Sequence, residues 1–231
     1  MQKTESALDP SQRMRVAYIL TMVGGFLDAY TYCLRGGVFA NAQTGNIVKM
    51  GISLANGTPE LILSCLAPIC SFAAGLMLAL AVKESLDRRG IRLVRRLILV
   101  AEMVALVIVT FIPLEGELDI LASSIVSLVA AMQYETFTTF RGEAIVTTMS
   151  TGNLRKMVDA LFLGIVRRNT AALQRAWLYF TIITTFAAGA FFGSLSCDML
   201  ENLALLPAIL ALGLVVAIIT HLRRKNLTAQ S

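Results

Sequence analysis

The chain contains the stretch Phe39-Ala-Asn-Ala-Gln-Thr-Gly-Asn46-Ile-Val-Lys-Met50, and 107 residues later it contains Val146-Thr-Thr-Met-Ser-Thr-Gly-Asn153-Leu-Arg-Lys-Met157. Both copies share Thr-Gly-Asn and Lys-Met, and the same offset places the acid Asp28 on the acid Glu135. A duplicated polar motif inside a hydrophobic chain is typical of membrane transporters built from structural repeats. We call residues 44–46 the first TGN motif and residues 151–153 the second.

Composition indicates a membrane protein made of helices. Of 231 residues, 56% are hydrophobic and 15% are charged, against about 25% charged residues in ordinary soluble domains. Lipid can accommodate this much apolar surface, and a stretch near 20 apolar residues can cross a hydrocarbon layer of about 30 Å. The sequence predicts an all-α polytopic membrane protein with six crossing segments, at about 16–34, 61–82, 93–113, 118–137, 176–196 and 203–222.

The order of these segments predicts two related halves within one integral membrane domain spanning residues 1–231. Residues 16–113 form the first repeat and residues 118–222 the second, and each holds one segment, a TGN motif and two further segments. A second echo, Phe72-Ala-Ala-Gly75 and Phe186-Ala-Ala-Gly189, keeps the same order. Because each half crosses the membrane an odd number of times, the halves are predicted to be inverted repeats.

Charged residues predict the orientation. With six crossings, every Lys and Arg except Arg35 and Lys49 falls on one side of the membrane, and the opposite loops are acidic. By the positive-inside rule both termini, residues 1–15 and the tail 223–231, are predicted to be cytoplasmic. The N-terminal stretch lacks the pattern of a cleavable signal, so we expect it to be retained. Nucleic acid is not an expected partner, because the basic groups flank membrane segments without interleaved aromatics.

Two short stretches, residues 46–56 and 153–168, are predicted to be helical but poorly suited to crossing a membrane. The first is too short, and the second is amphipathic, with apolar residues on one side and charges interrupting the rest. Thr and Asn can bond exposed backbone groups at a helix start, and Gly permits unusual φ angles and close approach. We therefore expect a broken or re-entrant helix at each motif, whose freed backbone lines a cavity or is buried in protein. An amphipathic helix on the membrane surface is the alternative, above all for the second motif.

Three acids lie within or near the apolar segments: Asp28, Glu135 and, without an acidic counterpart in the second half, Glu102. A charged side chain at the centre of a bilayer costs at least about 2.5 kcal/mol, so such residues usually face the bundle interior and mark an ion path or proton relay. Asp28 is midway along its segment and best fits this interpretation. For Glu135 and Glu102 the alternative is a shallower, hydrated or salt-bridged position.

Metal, cofactor and catalytic chemistry find little support in the sequence. The four cysteines form no CxxC pair, and small apolar packing residues are the expected role for Cys33, Cys65, Cys70 and Cys197. The single histidine, His221, follows the last segment beside basic residues and is expected at the membrane interface. The chain has no nucleophile–base pair and no phosphate-binding loop, so we expect no enzyme, no cofactor and no metal.

The residues around the first motif resemble the signature of the YoaK-like family: Gly24-Gly-Phe-Leu-Asp28-Ala, Gly37-Val-Phe39-Ala and Gln43-Thr-Gly-Asn46. Met149-Ser-Thr-Gly-Asn153 resembles the later part of that signature, and the resemblance covers about residues 14 to 222. It implies a six-crossing protein of the bacterial inner membrane without an established substrate. The chain departs from the family at Glu135-Thr, where an amide such as Gln or Asn is expected in many relatives.

Two classes of function follow from these predictions. The first is a secondary transporter or channel for a small solute or ion, coupled to H⁺ or Na⁺ through Asp28, with Glu102 as a relay. Its site would be built between the halves from Asp28, Asn41, Thr44, Gly45, Asn46, Glu135, Thr151, Gly152 and Asn153. The second is a non-transporting scaffold or sensor whose basic cytoplasmic face binds anionic lipids. Membrane lipids are expected partners in both cases, and a homodimer is an alternative to a monomer.

Overall fold

A computed structural model describes residues 9–58, 60–88, 94–114 and 116–228, without the side chains of residues 60, 86–88 and 223–228. Several sequence predictions therefore fall partly outside the described residues. These are the first eight residues of the predicted cytoplasmic N-terminus, the last three of the predicted tail, and the charged residues Arg89, Arg92 and Glu115.

The described chain is almost entirely helical, and six of its eight α-helices are long. The long helices are α1 (Met14–Leu34), α3 (Glu60–Arg88), α4 (Val94–Thr110), α5 (Gly116–Thr136), α7 (Thr170–Leu200) and α8 (Leu206–Thr228). The shorter α2 (Gln43–Ala55) and α6 (Thr151–Val166) begin at the two TGN motifs. Short 3-10 turns lie at Pro10–Gln12 and Glu201–Leu203, and two-residue strands β1 (Thr139–Phe140) and β2 (Glu143–Ala144) form one hairpin.

Four described segments are long and apolar enough to cross a membrane: Met14–Leu34, Leu61–Ser85, Gly116–Thr136 and Thr170–Leu203. They agree with four of the six predicted crossings. The other two predicted crossings coincide with α4, which has 17 residues, and with α8, whose apolar part is Leu206–Leu222. The all-α membrane class is thus confirmed at the level of four candidate spans.

Large apolar side chains are exposed on the outside of the helices. Leu210 is 73% exposed, Met77 72% and Met199 71%, and they are three of many such residues. Soluble proteins rarely expose contiguous apolar surface beyond a few hundred Å². An outer surface of this kind fits hydrocarbon rather than water, in agreement with the long apolar helices.

The core forms where helices from the first half of the chain pack against helices from the second half. The most extensive packing joins α1 with α7 and α3 with α5, while α2 lies on α3 and α6 on α7. Further contacts join α4 with α5, α1 with α8, and α4 with α8. As a result α1 is the most deeply buried of the candidate spans, with Val16, Leu20 and Leu27 among its fully enclosed residues.

Glycines allow α1 and α7 to approach each other at backbone distance. A Cβ atom on Gly25 would overlap the carbonyl oxygen of Phe186, and a Cβ on Gly189 would overlap that of Met22. In the same way Gly75 on α3 leaves room for the carbonyl of Leu128 on α5. Small residues permit such close helix packing in membranes. The repeated Phe-Ala-Ala-Gly sequence is therefore a packing device within one chain.

Replacing Gly189 by Ala should destabilise the protein, because the added methyl group must push α7 away from α1. Overpacking of this kind costs about 1–3 kcal/mol. The measurement is the free energy of unfolding of the purified protein in detergent. Gly213→Ala on α8 is the matched control, since its Cβ would be 3.5 Å from Met103 Cε, an ordinary contact. Equal stabilities of the two variants would contradict the close α1–α7 packing.

Candidate functional site

Each TGN asparagine ties its helix to the loop before it. Asn46 accepts from the backbone N–H of Phe39 at 2.8 Å and donates to the carbonyl of the same residue at 2.8 Å. Asn153 makes the same pair of bonds with Val146, at 3.2 and 2.6 Å. Both side chains are fully buried. The asparagine of each motif thus replaces a missing backbone partner, which matters where water is excluded.

The two lysines of the repeated stretches also act alike. The Lys49 ammonium donates to the carbonyl of Gly37, and the Lys156 ammonium donates to the carbonyl of Ala144. Each lysine bonds the residue twelve positions before it and lies over a tyrosine ring, that of Tyr32 or Tyr179. The duplicated sequence therefore produces a duplicated local structure.

Three of the other four residues of the TGN motifs lie on the outside. Thr44, Thr151 and Gly152 are exposed, and the helix starts at Ala42 and Ser150 carry no side-chain cap bond. The expected capping role of Thr is therefore wrong, because the Asn two positions later supplies the bonds to the backbone. Neither motif glycine has a positive φ, so the expected unusual backbone angles are also wrong. Gly45 does allow close approach, by the Phe39 ring.

Asp28 is buried on α1 beneath the first motif loop, residues 35–42. Its Oδ1 accepts from the backbone N–H of Asn41 at 2.7 Å, and its exposed fraction is 6%. The side-chain amide of Asn41 donates to the carbonyl of Gly24 at 3.0 Å. The first loop is consequently fastened to one face of α1, and Asp28 has no basic partner among the described hydrogen bonds and ion pairs.

The second motif loop, residues 137–150, reaches the same place on α1 from the other half of the chain. A Cβ on Gly24 would be 2.6 Å from the carbonyl oxygen of Thr147 and 3.0 Å from the Cα of Thr148. The β-hairpin within this loop turns through Arg141 and Gly142, both with positive φ. Gly24 is thus contacted by both motif loops, Asn41 from one and Thr147 from the other.

A buried amide connects this region to Glu102 on α4. With its nitrogen turned toward Glu102, the side chain of Gln133 donates to both carboxylate oxygens, at 3.2 and 3.1 Å. In this orientation the amide oxygen of Gln133 lies 3.4 Å from the hydroxyl of Thr147. Glu102, Gln133 and Thr147 are each about 1% exposed. A chain of polar groups therefore runs from α4 through α5 to the second motif loop at Gly24.

Glu135, the sequence counterpart of Asp28, lies in a different environment. Its carboxylate forms an ion pair with Lys83 of α3 at 2.8 Å, and its side chain is 24% exposed. Glu135 is therefore salt-bridged, as the alternative interpretation of the sequence proposed. Of the predicted site residues, the structure brings together Asp28 and Asn41 at Gly24, buries Asn46 and Asn153 as loop ties, and leaves Glu135 with Lys83.

Arg35 has a role that the sequence did not reveal. Its fully buried guanidinium donates to the Tyr30 hydroxyl at 2.8 Å and pairs with Asp119 at 3.0 Å. It also donates to the carbonyl of Val109 in the last turn of α4, and to the carbonyls of Ile112 and Pro113 just after that helix. Arg35 joins α1, α4 and α5 at one end of the bundle. The signal was its isolation, since it is one of two basic residues predicted on the acidic side.

Metal-ligating chemistry is sparse in the described part of the chain. Among those residues no group of three or more His, Cys, Asp or Glu side chains is arranged to hold a metal ion. Cys65 and Cys197 are buried and Cys33 and Cys70 are exposed, all as free thiols. The polar groups at Gly24 are instead oxygens and amides around a single carboxylate.

The chain belongs to a family that has a defined sequence pattern and no known function. A family model described as a protein of unknown function, DUF1275, matches residues 16–218. The resemblance to YoaK-like proteins is consistent with this membership. Neither a curated protein nor a solved structure matches the chain.

Replacing Asn46 by Ala should loosen the first motif loop. The change leaves the backbone N–H and carbonyl of Phe39 without partners, and each such buried group costs about 1–3 kcal/mol. Amide hydrogen exchange of the peptide around Phe39 should accelerate about tenfold or more, since 1.4 kcal/mol corresponds to a factor of ten.

Thr44→Ala is the matched control for this measurement, because Thr44 is exposed and only two residues away. Exchange should be unchanged in that variant. If Asn46→Ala left exchange in the loop as slow as in the parent protein, the tying role of the asparagine would be refuted.

Proposed function

We propose that this protein is a secondary transporter or channel for a small solute or ion, with its site at Gly24 and Asp28 where the two motif loops meet. The observation that carries the proposal is Asp28 itself. It is a buried acid within a candidate membrane span, bonded to a loop amide and provided with no basic partner among the described residues. Intramembrane acids of this kind mark ion paths and coupling sites.

The inverted-repeat architecture with six crossings is part of the proposal. The pattern of helix contacts supports it, because the main pairs persist when α1 to α4 are exchanged with α5 to α8. The pair α1–α7 becomes α5–α3, α2–α3 becomes α6–α7, and α1–α8 becomes α5–α4. The equivalent bonds of Asn46 and Asn153 support the same relation. A two-fold axis in the membrane plane would relate the halves.

For α2 the proposal is a re-entrant helix at membrane depth. Its outward residues include Ile47, Val48 and Ile52, all more than half exposed, and its one lysine is folded back onto Gly37. The second short helix differs, because Arg155 and Asp159 are highly exposed on it. For α6 a position at the membrane interface is therefore the better supported arrangement.

The distribution of basic residues supports cytoplasmic termini, and the resemblance to YoaK-like proteins supports a location in the bacterial cytoplasmic membrane. In this orientation α6 and the ion pair between Lys83 and Glu135 lie near the cytoplasmic side, and Arg35 with Asp119 lies near the outer side. Asp28 and Gly24 fall between these two levels along α1. A site midway between the surfaces is what alternating access requires, and rocking of one half against the other would expose it to each side in turn.

The first test is charge movement by purified protein in proteoliposomes on a solid-supported membrane, against a panel of ions and small metabolites. One solute should give a current, and Asp28→Asn should abolish it because the coupling charge is lost. The substituted amide oxygen can still accept from Asn41, so the fold should persist. Asp159→Asn is the matched control, since Asp159 is exposed on α6 and outside the site.

A current that survives Asp28→Asn would contradict the proposed site. Silence across the panel, from protein with an intact unfolding transition, would favour the non-transporting alternative. That alternative predicts salt-sensitive binding to anionic liposomes through the basic cytoplasmic face.

A further inference from the structure

The polar chain from Glu102 through Gln133 to Thr147 fits two protonation states of Glu102 with its side chains in the same positions. One end of the Gln133 amide lies 3.2 and 3.1 Å from the two carboxyl oxygens of Glu102. The other end lies 3.4 Å from the hydroxyl oxygen of Thr147. An amide has a donor at one end and an acceptor at the other, so its orientation depends on what Glu102 offers.

The hydrogen bonds of the two states run in opposite directions. When Glu102 is ionised, its oxygens only accept, so the amide nitrogen of Gln133 faces them and the amide oxygen accepts from the Thr147 hydroxyl. When Glu102 is protonated, its O–H donates to the amide oxygen, and the amide nitrogen donates to Thr147. All three side chains are hydrogen-bonded in both states, and a half-turn of the amide converts one state into the other.

Glu102 lacks a basic partner in the part of the chain that the structure describes. It is about 1% exposed, as are Gln133 and Thr147. The ion pairs among the described residues belong to other acids, namely Asp119, Glu135 and Asp159. An unpaired charge in a water-free interior is costly, so this closed arrangement favours the protonated acid. When the proton leaves, the amide nitrogen of Gln133 is available to both carboxylate oxygens.

The acids, bases and tyrosine on the elements around Glu102 have other partners, are exposed or lie near a helix end. Described side chains of this kind are Lys83 and Glu84 on α3, Arg95 and Arg96 on α4, Glu117, Asp119, Tyr134 and Glu135 on α5, Arg141 and Glu143 in the second motif loop, and His221 on α8. The second buried acid, Asp28, accepts from the backbone of Asn41. Glu102 is therefore the titratable group that the amide of Gln133 responds to.

We propose that Glu102 and Gln133 form a proton-binding site in which the Gln133 amide reverses when the proton leaves. The change reaches the second motif loop, because Thr147 accepts a hydrogen bond from Gln133 in one state and donates one in the other. The hydroxyl hydrogen of Thr147 is thus available to another acceptor only while Glu102 carries its proton. Since the carbonyl of Thr147 packs against Gly24, this change occurs beside the proposed transport site.

The role of this site in transport rests on the proposed function. It names H⁺ as the coupling ion and Glu102 as a residue that carries it. A charge change at Glu102 and a two-state amide at Gln133 are the two parts that a local switch requires. Proton binding itself needs no solute, so it can be measured independently of transport.

The first test is infrared difference spectroscopy of the purified protein in detergent, from mildly acidic to alkaline pH and without solute. A protonated carboxyl group gives a C=O stretching band that is separate from the bands of a carboxylate. Glu102→Gln should remove one such band, and Asp28→Asn should leave that band in place. Glu117→Gln is the matched control, because Glu117 is exposed and its loss should leave the protonated-carboxyl region unchanged at neutral pH.

Gln133→Met tests the part played by the amide. Methionine has a similar length and removes both the donor and the acceptor. The Glu102 band should persist, because burial still favours the proton, but its frequency should shift because the hydrogen bond to the amide is lost. Thr110→Val is the control for a nearby buried group, since that hydroxyl bonds Leu106 within α4, and it should cause no shift.

Glu102→Gln should also weaken the pH dependence of stability. The substituted amide can donate to Gln133 as the carboxyl O–H does, so the proton-bound arrangement is kept at every pH. The unfolded parent chain releases this proton to water at neutral pH and the folded chain holds it, so stability of the parent falls as pH rises. The midpoint of thermal unfolding should therefore fall less in Glu102→Gln than in the parent, and Glu117→Gln should follow the parent.

A protonated-carboxyl region that Glu102→Gln leaves unchanged at every pH would overturn the proton site. A Glu102 band that Gln133→Met leaves unshifted would overturn the amide switch. The proposed function fails in a different way. A Glu102 band without any solute current would remove the transporter and keep the proton site, whereas a current lost in Asp28→Asn without a Glu102 band would do the reverse.

Discussion

The close packing of α1 against α7 is the constraint on which the rest of the structure depends. Gly25 and Gly189 let the two helices meet at their backbones, with each glycine against a carbonyl of the other helix. Since α7 carries α6 on its surface, this contact also places the second TGN helix. In the same way Gly75 lets α3 pack closely against α5. Together these contacts join the two halves of the chain and enclose α1, on which Asp28 is buried.

The two motif loops are buried beside these helices, and their backbone N–H and carbonyl groups therefore lose water as a hydrogen-bond partner. The chain compensates for this loss twice with the same residue. Asn46 and Asn153 each supply a donor and an acceptor to the residue seven positions earlier, which lets the loop turn inward without unpaired backbone at that point. Held in this way, both loops converge on Gly24 of α1, which Asn41 contacts from the first loop and Thr147 from the second. The polar site is therefore a consequence of how the loops are held.

Periodicity and repetition predicted the helices and the paired motifs, because both depend on local sequence. The same reasoning assigned Asp28 and Asn41 to one site, and the structure brings these two together, but it assigned Thr44, Thr151 and Gly152 to that site as well, although these are exposed. A motif shows which residues recur and not which way each one faces. Gln133 and Thr147 were missed for the complementary reason: their roles arise only when α4, α5 and the second loop come together in space.

The most direct test of the exchanged packing is a disulfide between α1 and α7. Cys33 Sγ is 3.8 Å from Ser194 Oγ, so Ser194→Cys, in a chain whose other three cysteines are replaced by Ala, should cross-link to Cys33 within one molecule on mild oxidation. Peptide mass spectrometry identifies the bond. Thr184→Cys, ten residues earlier on α7 and about 15 Å away along the helix, should not cross-link. Equal cross-linking at both positions, or bonds only between molecules, would contradict the α1–α7 contact.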